Sequence, residues 1–292
     1  MIVDERYYFC NDESGLGVCM VLKEKWHSEF IKIIEDNNVA VLRISDAAGW
    51  QGSDVSFISS LRKLKGLDLY SSQVKDLSPI YFLNELQSIS LQCKPSHVFD
   101  LSVFKKLKIC RLSFSSKIDG IFECSQLIHL NITSYPYENL SNLHCLSSLQ
   151  RLQITSKKIL NLNGVCKLVE LKCIDLACCT NLVDISELKN CVNLEKIELT
   201  TCKKFKNLPL FERESKLISI EITDCGLVSS LVPLEICKHL KEISATGDTN
   251  IVDGNFDFVK TLKSIENVWY ANKKHYSIAR ELLNGFIKIP KK

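Results

Sequence analysis

The sequence predicts an α/β, β-rich solenoid, in which short similar units stack around one continuous core. An apolar spacing, Leu-x-x-Leu-x-Leu, recurs eleven times at intervals of 20 to 25 residues, and its three apolar positions are called slots below. A unit of this length cannot bury its own apolar side, so each copy must stack on the next. Hydrophobic residues make up 46% of the 292 residues, which is enough for such a core. The copies begin at Val39, Leu64, Leu86, Leu107, Leu127, Leu149, Leu171, Leu194, Leu217, Leu240 and Leu262.

Each copy predicts a strand followed by a thin return segment. In the copy that begins at Leu64, the alternation Leu67-Asp68-Leu69 is typical of a strand with one buried side. Apolar residues then recur at every third position, which suits 3₁₀ turns because their side chains align at i and i+3. We therefore predict a horseshoe of about eleven repeats, with a concave parallel β-sheet and a 3₁₀ or irregular convex side. The residues with three-residue spacing are Val74, Leu77, Ile80 and Leu83.

The residues outside the repeats predict caps that cover the two ends of the core. We assign residues 1–38 to an N-terminal cap, 39–267 to the solenoid and 268–292 to a C-terminal cap. The first cap is expected to contain two strands and a helix that ends at Asn37-Asn38, and the second a helix that ends at Asn284-Gly285 and then a strand. The predicted strands are Arg6–Cys10, Val18–Leu22 and Phe286–Pro290, and the helices carry Trp26, Phe30, Ile33 and Ile34, and Tyr276, Ala279, Leu282 and Leu283.

These motifs resemble those of the leucine-rich repeat family. The segment Val74–Ile80, followed by Leu83 and Leu86, is similar to the convex segment of short bacterial internalin-type repeats. The segment Leu171–Leu208 is similar to cysteine-bearing repeats, in which cysteine replaces the usual turn asparagine. The resemblance covers residues 39–267 and implies a scaffold whose repeated residues are structural. Unlike internalins, the sequence shows no signal peptide and no wall-sorting tail, so a surface adhesin is not expected.

Seven of the fourteen cysteines lie at positions set by the repeat and are interpreted as buried or turn-bonding thiols, and the protein is expected to be reduced and cytoplasmic. The resemblance implies that the residue three positions after each third slot bonds free backbone groups and forms a ladder along the stack. A metal site is the alternative for the thiols at these positions. Neighbouring strands lie about 4.8 Å apart, however, so thiols on three successive strands would be too far apart to bind one metal ion. No metal or cofactor is therefore expected. Only the middle of the C-terminal half keeps residues suited to a ladder, so the N-terminal half is expected to be less regular. The equivalent positions are Ser72, Lys94, Ser115, Tyr135, Lys157, Cys179, Cys202, Cys225 and Asp248.

Composition excludes several classes of partner. A net charge of +3, from 37 basic and 34 acidic residues, predicts binding neither to nucleic acid nor to an anionic membrane. No stretch approaches the roughly 20 apolar residues of a membrane-spanning helix. The sequence also contains no phosphate-binding loop, no His-Glu-x-x-His pair and no Gly-x-Ser-x-Gly elbow. We expect a monomer, when free, that is not an enzyme.

The side chains between the apolar slots are expected to face a partner on the concave sheet. Those between the second and third slots, the middle column, are acidic in the C-terminal half and predict a partner with a basic surface patch. The alternative is that Lys196 only compensates its acidic neighbours. Tyr70 and Arg111 are candidate contacts in the N-terminal half, because their residue types are frequent at binding hot spots. The full candidate set is Tyr70, Arg111, Arg151, Asp175, Lys196, Glu198, Thr200, Glu221, Thr223 and Glu266.

The sequence therefore predicts a non-catalytic module that recognises another protein. One narrower alternative is an immunity or antitoxin protein that neutralises a cognate toxin by binding it. A second alternative is a thiol enzyme that uses Cys173. The thiol would need an imidazole within hydrogen-bond reach, whereas His129 lies two repeats away, at roughly 10 Å.

Overall fold

The computed structural model describes residues 5–283 and divides into two compact units, Met1–Ile132 and Thr133–Lys292. Both units consist mainly of parallel strands joined by short 3₁₀ segments, which confirms the predicted β-rich solenoid class. The predicted helix end at Asn284-Gly285 and the predicted strand Phe286–Pro290 lie outside the described residues. The boundaries assigned to the caps, and the number of repeats, stay predictions.

In the first unit, an antiparallel hairpin leads into a parallel sheet. Strands β1 and β2 form the hairpin, β2 runs parallel to β3, and the order within the unit is β1-β2-β3-β4-β5-β7-β9. The short strands β6 and β8 pair separately. The elements are β1 (Tyr7–Asn11), β2 (Val18–Leu22), α1 (Phe30–Asp36), β3 (Val39–Ser45), β4 (Gly66–Tyr70), β5 (Ser88–Leu91), β6 (Phe99–Asp100), β7 (Ile109–Ser113), β8 (Ile118–Asp119) and, at the unit boundary, β9 (His129–Thr133).

The second unit repeats the same strand and return. Its strand order is β10-β11-β12-β13-β15-β17, and β14 pairs with β16 beside it. A helical turn, α2, follows the last strand. The elements are β10 (Arg151–Thr155), β11 (Cys173–Ala177), β12 (Lys196–Thr200), β13 (Ser219–Thr223), β14 (Leu227–Val228), β15 (Glu242–Thr246), β16 (Asn250–Ile251), β17 (Asn267–Tyr270) and α2 (Arg280–Leu283).

Aliphatic side chains from successive strands stack in register and form the core. Ile197 pairs with Ile174 on one side and Ile220 on the other, and all three are fully buried. Because side chains alternate along a strand, the residues between the slots point to the opposite side of the sheet. One register therefore fixes both the core and the outward surface.

The return segments combine short 3₁₀ segments with irregular structure, as the three-residue spacing predicted. In the copy that begins at Leu64, Ser78–Phe82 forms a 3₁₀ segment. The residues with three-residue spacing, Val74, Leu77, Ile80 and Leu83, are all buried. The other 3₁₀ segments described are Asp46–Ala48, Ser56–Ser60, Leu101–Val103, Ile121–Glu123, Ser141–Leu143, Val165–Lys167, Ser186–Asn190, Val232–Ile236 and Asp257–Thr261.

The terminal segments differ in detail from their predicted helices. Trp26 precedes α1 and stacks on Phe57, with ring centroids 4.0 Å apart. The helix ends before Asn37, as predicted. Tyr276 likewise precedes α2, and its hydroxyl accepts a hydrogen bond from the amide of Ile251 at 3.0 Å. These aromatic residues therefore pack against neighbouring repeats from loops rather than from helices.

The register of the last copy was predicted incorrectly. Strand β17 places Val268 opposite Ile243 and Tyr270 opposite Ala245, so Val268 and Tyr270 occupy the second and third slots. Both are buried, whereas the predicted third slot, Asn267, is half-exposed. The distance from Ile243 to Val268 is 25 residues because the last return is longer. Pairing with β15, rather than the 22-residue average spacing, decides the register.

A ladder of buried side chains follows the strands of the second unit. The amide of Cys202 donates to Cys225 Sγ at 3.4 Å, and the amide of Cys225 donates to Thr249 Oγ1 at 3.2 Å. In turn, Cys202 Sγ donates to the carbonyl of Leu176 and Cys225 Sγ to that of Leu199. The hydrogen bond between Cys225 and Cys202, together with burial, raises the pKa of the Cys225 thiol. This thiol therefore stays protonated and donates its hydrogen bond.

The ladder position shifts from repeat to repeat. Cys179, Cys202 and Cys225 are buried as expected, and Tyr135 is buried too, whereas Ser72, Lys94, Lys157 and Asp248, which were not expected to extend the ladder, are exposed. Where the residue before the ladder is in the left-handed region, as at Cys178 and Thr201, the ladder residue lies three positions after the third slot. In repeats that lack the left-handed residue, the ladder residue lies two positions after the third slot. In a repeat with two additional residues, it lies four positions after the third slot. The buried residues at the shifted positions are Ser71, Cys93, Ser156 and Thr249.

Replacing Cys225 by alanine should destabilise the protein by about 1–3 kcal/mol, because it leaves a buried amide and carbonyl without their partner. Cys225→Thr should retain most of the stability, since Thr249 makes the same two bonds in the next repeat. Urea unfolding of both variants measures the difference. Cys145→Ala, at an exposed cysteine, is the control, and equal losses for the three variants would contradict the ladder.

Candidate functional site

The outward side of the sheet, called the strand face below, is partly covered in the first unit. The hairpin loop between β1 and β2 lies over it, and Leu16 packs against the cluster that contains Val41 and Ala40. At the tip of this loop, Ser14 Oγ shares a 3.1 Å hydrogen bond with Ser88 Oγ. The predicted cap therefore occupies part of the surface that was assigned to a partner.

Of the two site residues predicted in the first unit, Arg111 is held by an intramolecular hydrogen bond and Tyr70 is half-buried. Arg111 Nη1 donates to Ser14 Oγ at 3.1 Å, so its guanidinium is tied to the hairpin loop. Tyr70 is half-buried, and burial raises the pKa of its hydroxyl. Beside it, Arg43 and Asp68 form a 2.8 Å ion pair in which the carboxylate is largely buried. These contacts favour a structural role for this part of the strand face.

In the second unit, Lys196 brings two of the predicted acidic residues together. Its Nζ lies 2.8 Å from Glu198 Oε1 and 3.0 Å from Glu221 Oε1. These hydrogen bonds, led by the one to Glu198, raise the pKa of Lys196. The geometry supports the interpretation that Lys196 compensates its neighbours, and it also fixes three charged side chains in one arrangement.

The middle column of the second unit is continuous. Gln153 pairs in register with Asp175, and its amide nitrogen donates to the carboxylate of Asp175 at 2.9 Å. Asp175 pairs in turn with Glu198, and Glu198 with Glu221. We call Asp175, Glu198 and Glu221 the acidic strip.

Two further columns flank the acidic strip. On one side lie the exposed Arg151, then Cys173 and Lys196, in register on successive strands. On the other side lie Thr200 and Thr223, and Thr223 Oγ1 is 3.1 Å from Thr246 Oγ1. Nine of the ten predicted site residues therefore lie on the strand face of one unit or the other.

Glu266 is the exception, and Trp269 takes the place assigned to it. Glu266 precedes β17 and forms a 2.8 Å ion pair with Lys241. Trp269 pairs in register with Ser244, which pairs with Glu221, so the indole belongs to the middle column. It is 54% exposed. The alternation Val268-Trp269-Tyr270 was the signal in the sequence that would have identified it.

Cys173 lacks the features of a catalytic thiol. Its side chain is 6% exposed, and its Sγ lies 3.9 Å from a carboxylate oxygen of Glu198. Burial raises its pKa, with the Glu198 charge acting in the same direction, whereas a nucleophilic thiol needs a lowered pKa.

We expect iodoacetamide to alkylate Cys173 in the native protein much more slowly than the exposed Cys145 and Cys178. The thiolate is the reactive form, and the raised pKa keeps Cys173 protonated near neutral pH. Its rate should therefore rise with pH through and above the normal thiol range. Peptide mass spectrometry of timed samples gives the rate at each cysteine, and preferential labelling of Cys173 at pH 7 would support the thiol-enzyme alternative instead.

Within residues 5–283, no three His, Cys, Asp or Glu side chains are grouped as a metal ion requires. None of the helices described is long and apolar enough to cross a bilayer.

The comparison with known proteins identifies the fold. No protein-family model and no curated protein matches the sequence. Solved structures do match: the internalin inlF of Listeria monocytogenes strain 4b F2365 superposes with a TM-score of 0.61 and 19% identity, over 87% of this chain and 73% of its own. The chain has the leucine-rich repeat fold.

Two further structures extend this leucine-rich repeat comparison. The functional domain of InlJ from L. monocytogenes, which includes a cysteine ladder, has a TM-score of 0.55 and 16% identity over 80% of this chain, which spans 54% of that one. A chain of the glycosylated Drosophila Toll–Spatzle complex has a TM-score of 0.64 and 13% identity over 91% of this chain, which spans 42% of that one. At these identities the likeness concerns the leucine-rich repeat fold.

Proposed function

We propose that this chain is a non-catalytic recognition protein that binds another protein through the strand face of its second unit. The observation that carries the proposal is the exposed Trp269 in the same column as the acidic strip. Glu221 and Trp269 are separated by two strand spacings, or roughly 10 Å, so one partner surface contacts both. An exposed tryptophan combines a large apolar area with few rotatable bonds, which makes it an effective binding anchor.

The charged residues of this surface are arranged before binding. Lys196 already contacts Glu198 and Glu221, and Gln153 already contacts Asp175. A partner therefore loses less free energy to the ordering of these side chains. On strands β10 to β15 the strand face carries four carboxylates and two cations, so it favours a partner with a basic surface patch. The four acids are Asp175, Glu198, Glu221 and Glu242, and the two cations are Arg151 and Lys196.

The ladder thiols act as hydrogen-bond donors in their reduced form, which supports a reducing compartment and the predicted cytoplasmic location. The immunity or antitoxin role remains a narrower form of the same proposal. For that role, loss of the protein would be lethal only in cells that carry the cognate toxin gene.

The proposal is tested by capture of partners from native lysate on wild-type protein and on two variants. Trp269→Ala and the charge-reversal variant Glu198→Lys/Glu221→Lys should each lose a partner that the wild type retains. The matched control is Glu212→Lys/Glu214→Lys, which makes the same charge change at exposed residues outside the strands. The captured protein should bind the wild type more weakly as salt is raised.

Retention of the same partner by Trp269→Ala and by the charge-reversal variant, with unchanged salt dependence, would remove the strand face of the second unit as the binding surface. If the control variant also lost the partner, net charge alone would govern capture. That result would equally contradict the proposal.

A further inference from the structure

Two neighbouring cavities lie on the return side of the first unit, away from the strand face. One has a volume of about 480 Å³ and is lined by Val103, Phe104 and Lys105 among others. The second, of about 380 Å³, is lined by His97, Val98 and Phe99 among others. Tyr81 lines both, so the two cavities border the same side chain, and we call the pair the aromatic groove.

The walls of the aromatic groove are apolar and exposed. Val98 is 63% exposed and Val103 47% exposed, and Tyr81 is also exposed. None of these side chains occupies a slot of the repeat, so the solenoid core does not require them. A cluster of exposed apolar side chains around a depression is typical of a surface that binds another molecule.

The floor of the groove is rigid. The Tyr81 ring packs against Phe99 with a centroid distance of 4.9 Å and against Phe104 at 6.0 Å. Its hydroxyl accepts a hydrogen bond from the amide of Asp100 at 2.8 Å. The aromatic rings are therefore fixed by contacts within the chain, and the groove exists before a ligand binds.

The rim of the groove is mainly basic. Lys105 Nζ donates to the carbonyl of Ser102 at 2.8 Å, and Lys75 Nζ donates to that of Ser72 at 2.9 Å. These contacts hold the two ammonium groups with neutral acceptors, so their positive charge remains available. Lys106 forms an ion pair with Glu85, and Asp76 lies in the lining beside His97.

We infer that the aromatic groove binds an amphipathic protein segment that carries acidic side chains next to large aliphatic or aromatic ones. The apolar side chains of the segment would fill the two cavities on either side of Tyr81, and its carboxylates would face Lys75 and Lys105. A single-stranded nucleic acid fits less well, because the most exposed apolar side chains of the groove are Val98 and Val103, which offer no ring on which a base could stack. The site lies in the first unit, and it does not depend on the strand face proposed above.

The test is a selection from a random peptide library displayed on phage, with the full-length protein as bait. Enriched peptides should combine Asp or Glu with Leu, Ile, Phe or Trp. Synthetic versions should bind the wild type and lose at least roughly tenfold in affinity for Val98→Ser/Val103→Ser. The matched control is Val169→Ser/Val183→Ser, at two exposed valines of the second unit, and it should bind as the wild type does.

A second variant separates the role of charge. Lys75→Gln/Lys105→Gln should weaken binding and reduce its dependence on salt, while circular dichroism shows an unchanged fold. The inference is overturned if no peptide depends on Val98 and Val103, if the enriched peptides are basic, or if a single-stranded RNA oligonucleotide binds the groove in a manner lost in the lysine variant.

Discussion

Replacing Ile220 by alanine is expected to lower the free energy of unfolding by about 2–5 kcal/mol. Ile220 occupies the second slot of its repeat, is fully buried, and pairs with Ile197 and Ile243 on the two neighbouring strands. Removing three carbons at this point opens a cavity that neighbouring in-register strands close only in part. In a stacked protein the loss also weakens the contacts with both adjacent repeats.

The control for this prediction lies two residues earlier in the sequence. Ile218 precedes strand β13 and is 37% exposed, so Ile218→Ala removes the same atoms from a surface position. We expect it to cost less than about 1 kcal/mol. Urea unfolding followed by circular dichroism measures both variants, and similar losses for the two would contradict the assignment of slots to the core.

Gly120→Ala is expected to be the second strongly destabilising change, at about 2–4 kcal/mol, from backbone strain and steric overlap together. Gly120 has a φ of +71°, in the left-handed region that favours glycine. A Cβ at this position would lie 2.7 Å from the amide nitrogen of Ser102 and would overlap the Asp100 carboxylate. That carboxylate caps the 3₁₀ segment Leu101–Val103 by accepting from the Ser102 amide at 2.8 Å. The substitution therefore disturbs the preceding repeat as well as its own.

Gly15→Ala separates the two causes of this loss. Gly15 has nearly the same φ, +73°, but a Cβ there would meet no atom within 4 Å. We expect Gly15→Ala to cost only the backbone strain, about 1 kcal/mol. Thermal unfolding of the two variants gives the comparison. If both lose the same stability, steric overlap with the cap of the preceding repeat is not the cause.

The sequence was sufficient to predict the strands and the core of most repeats. The alternation around Leu67 and the pairs of slots from Leu42 to Ile243 place buried aliphatic residues where the structure has them. Spacing failed where pairing with a neighbour overrode it. The longer return before β17 moved the slots to Val268 and Tyr270, and where no left-handed residue precedes the ladder, as at Ser71 and Ser156, the ladder residue lies one position earlier.

The site was predictable only in part. Alternation correctly assigned the acidic strip and the threonine column to the strand face, because register fixes them together with the core. It could not show that the hairpin loop covers the strand face of the first unit, since Ser14 and Leu16 reach it by a contact distant in sequence. It also missed Trp269, because the strand register of the last copy was wrong. The aromatic groove depends on contacts of Tyr81 that no periodic pattern encodes.

The most direct test of the proposed binding surface is hydroxyl-radical footprinting of the protein with and without its captured partner. Mass spectrometry then reports how fast each exposed side chain is oxidised. Trp269 should be oxidised readily in the free protein and be protected in the complex, while the exposed Val192, which lies between β11 and β12 rather than on a strand, should react equally in both. Protection elsewhere, with Trp269 oxidised as fast in the complex as in the free protein, would contradict binding through the strand face of the second unit.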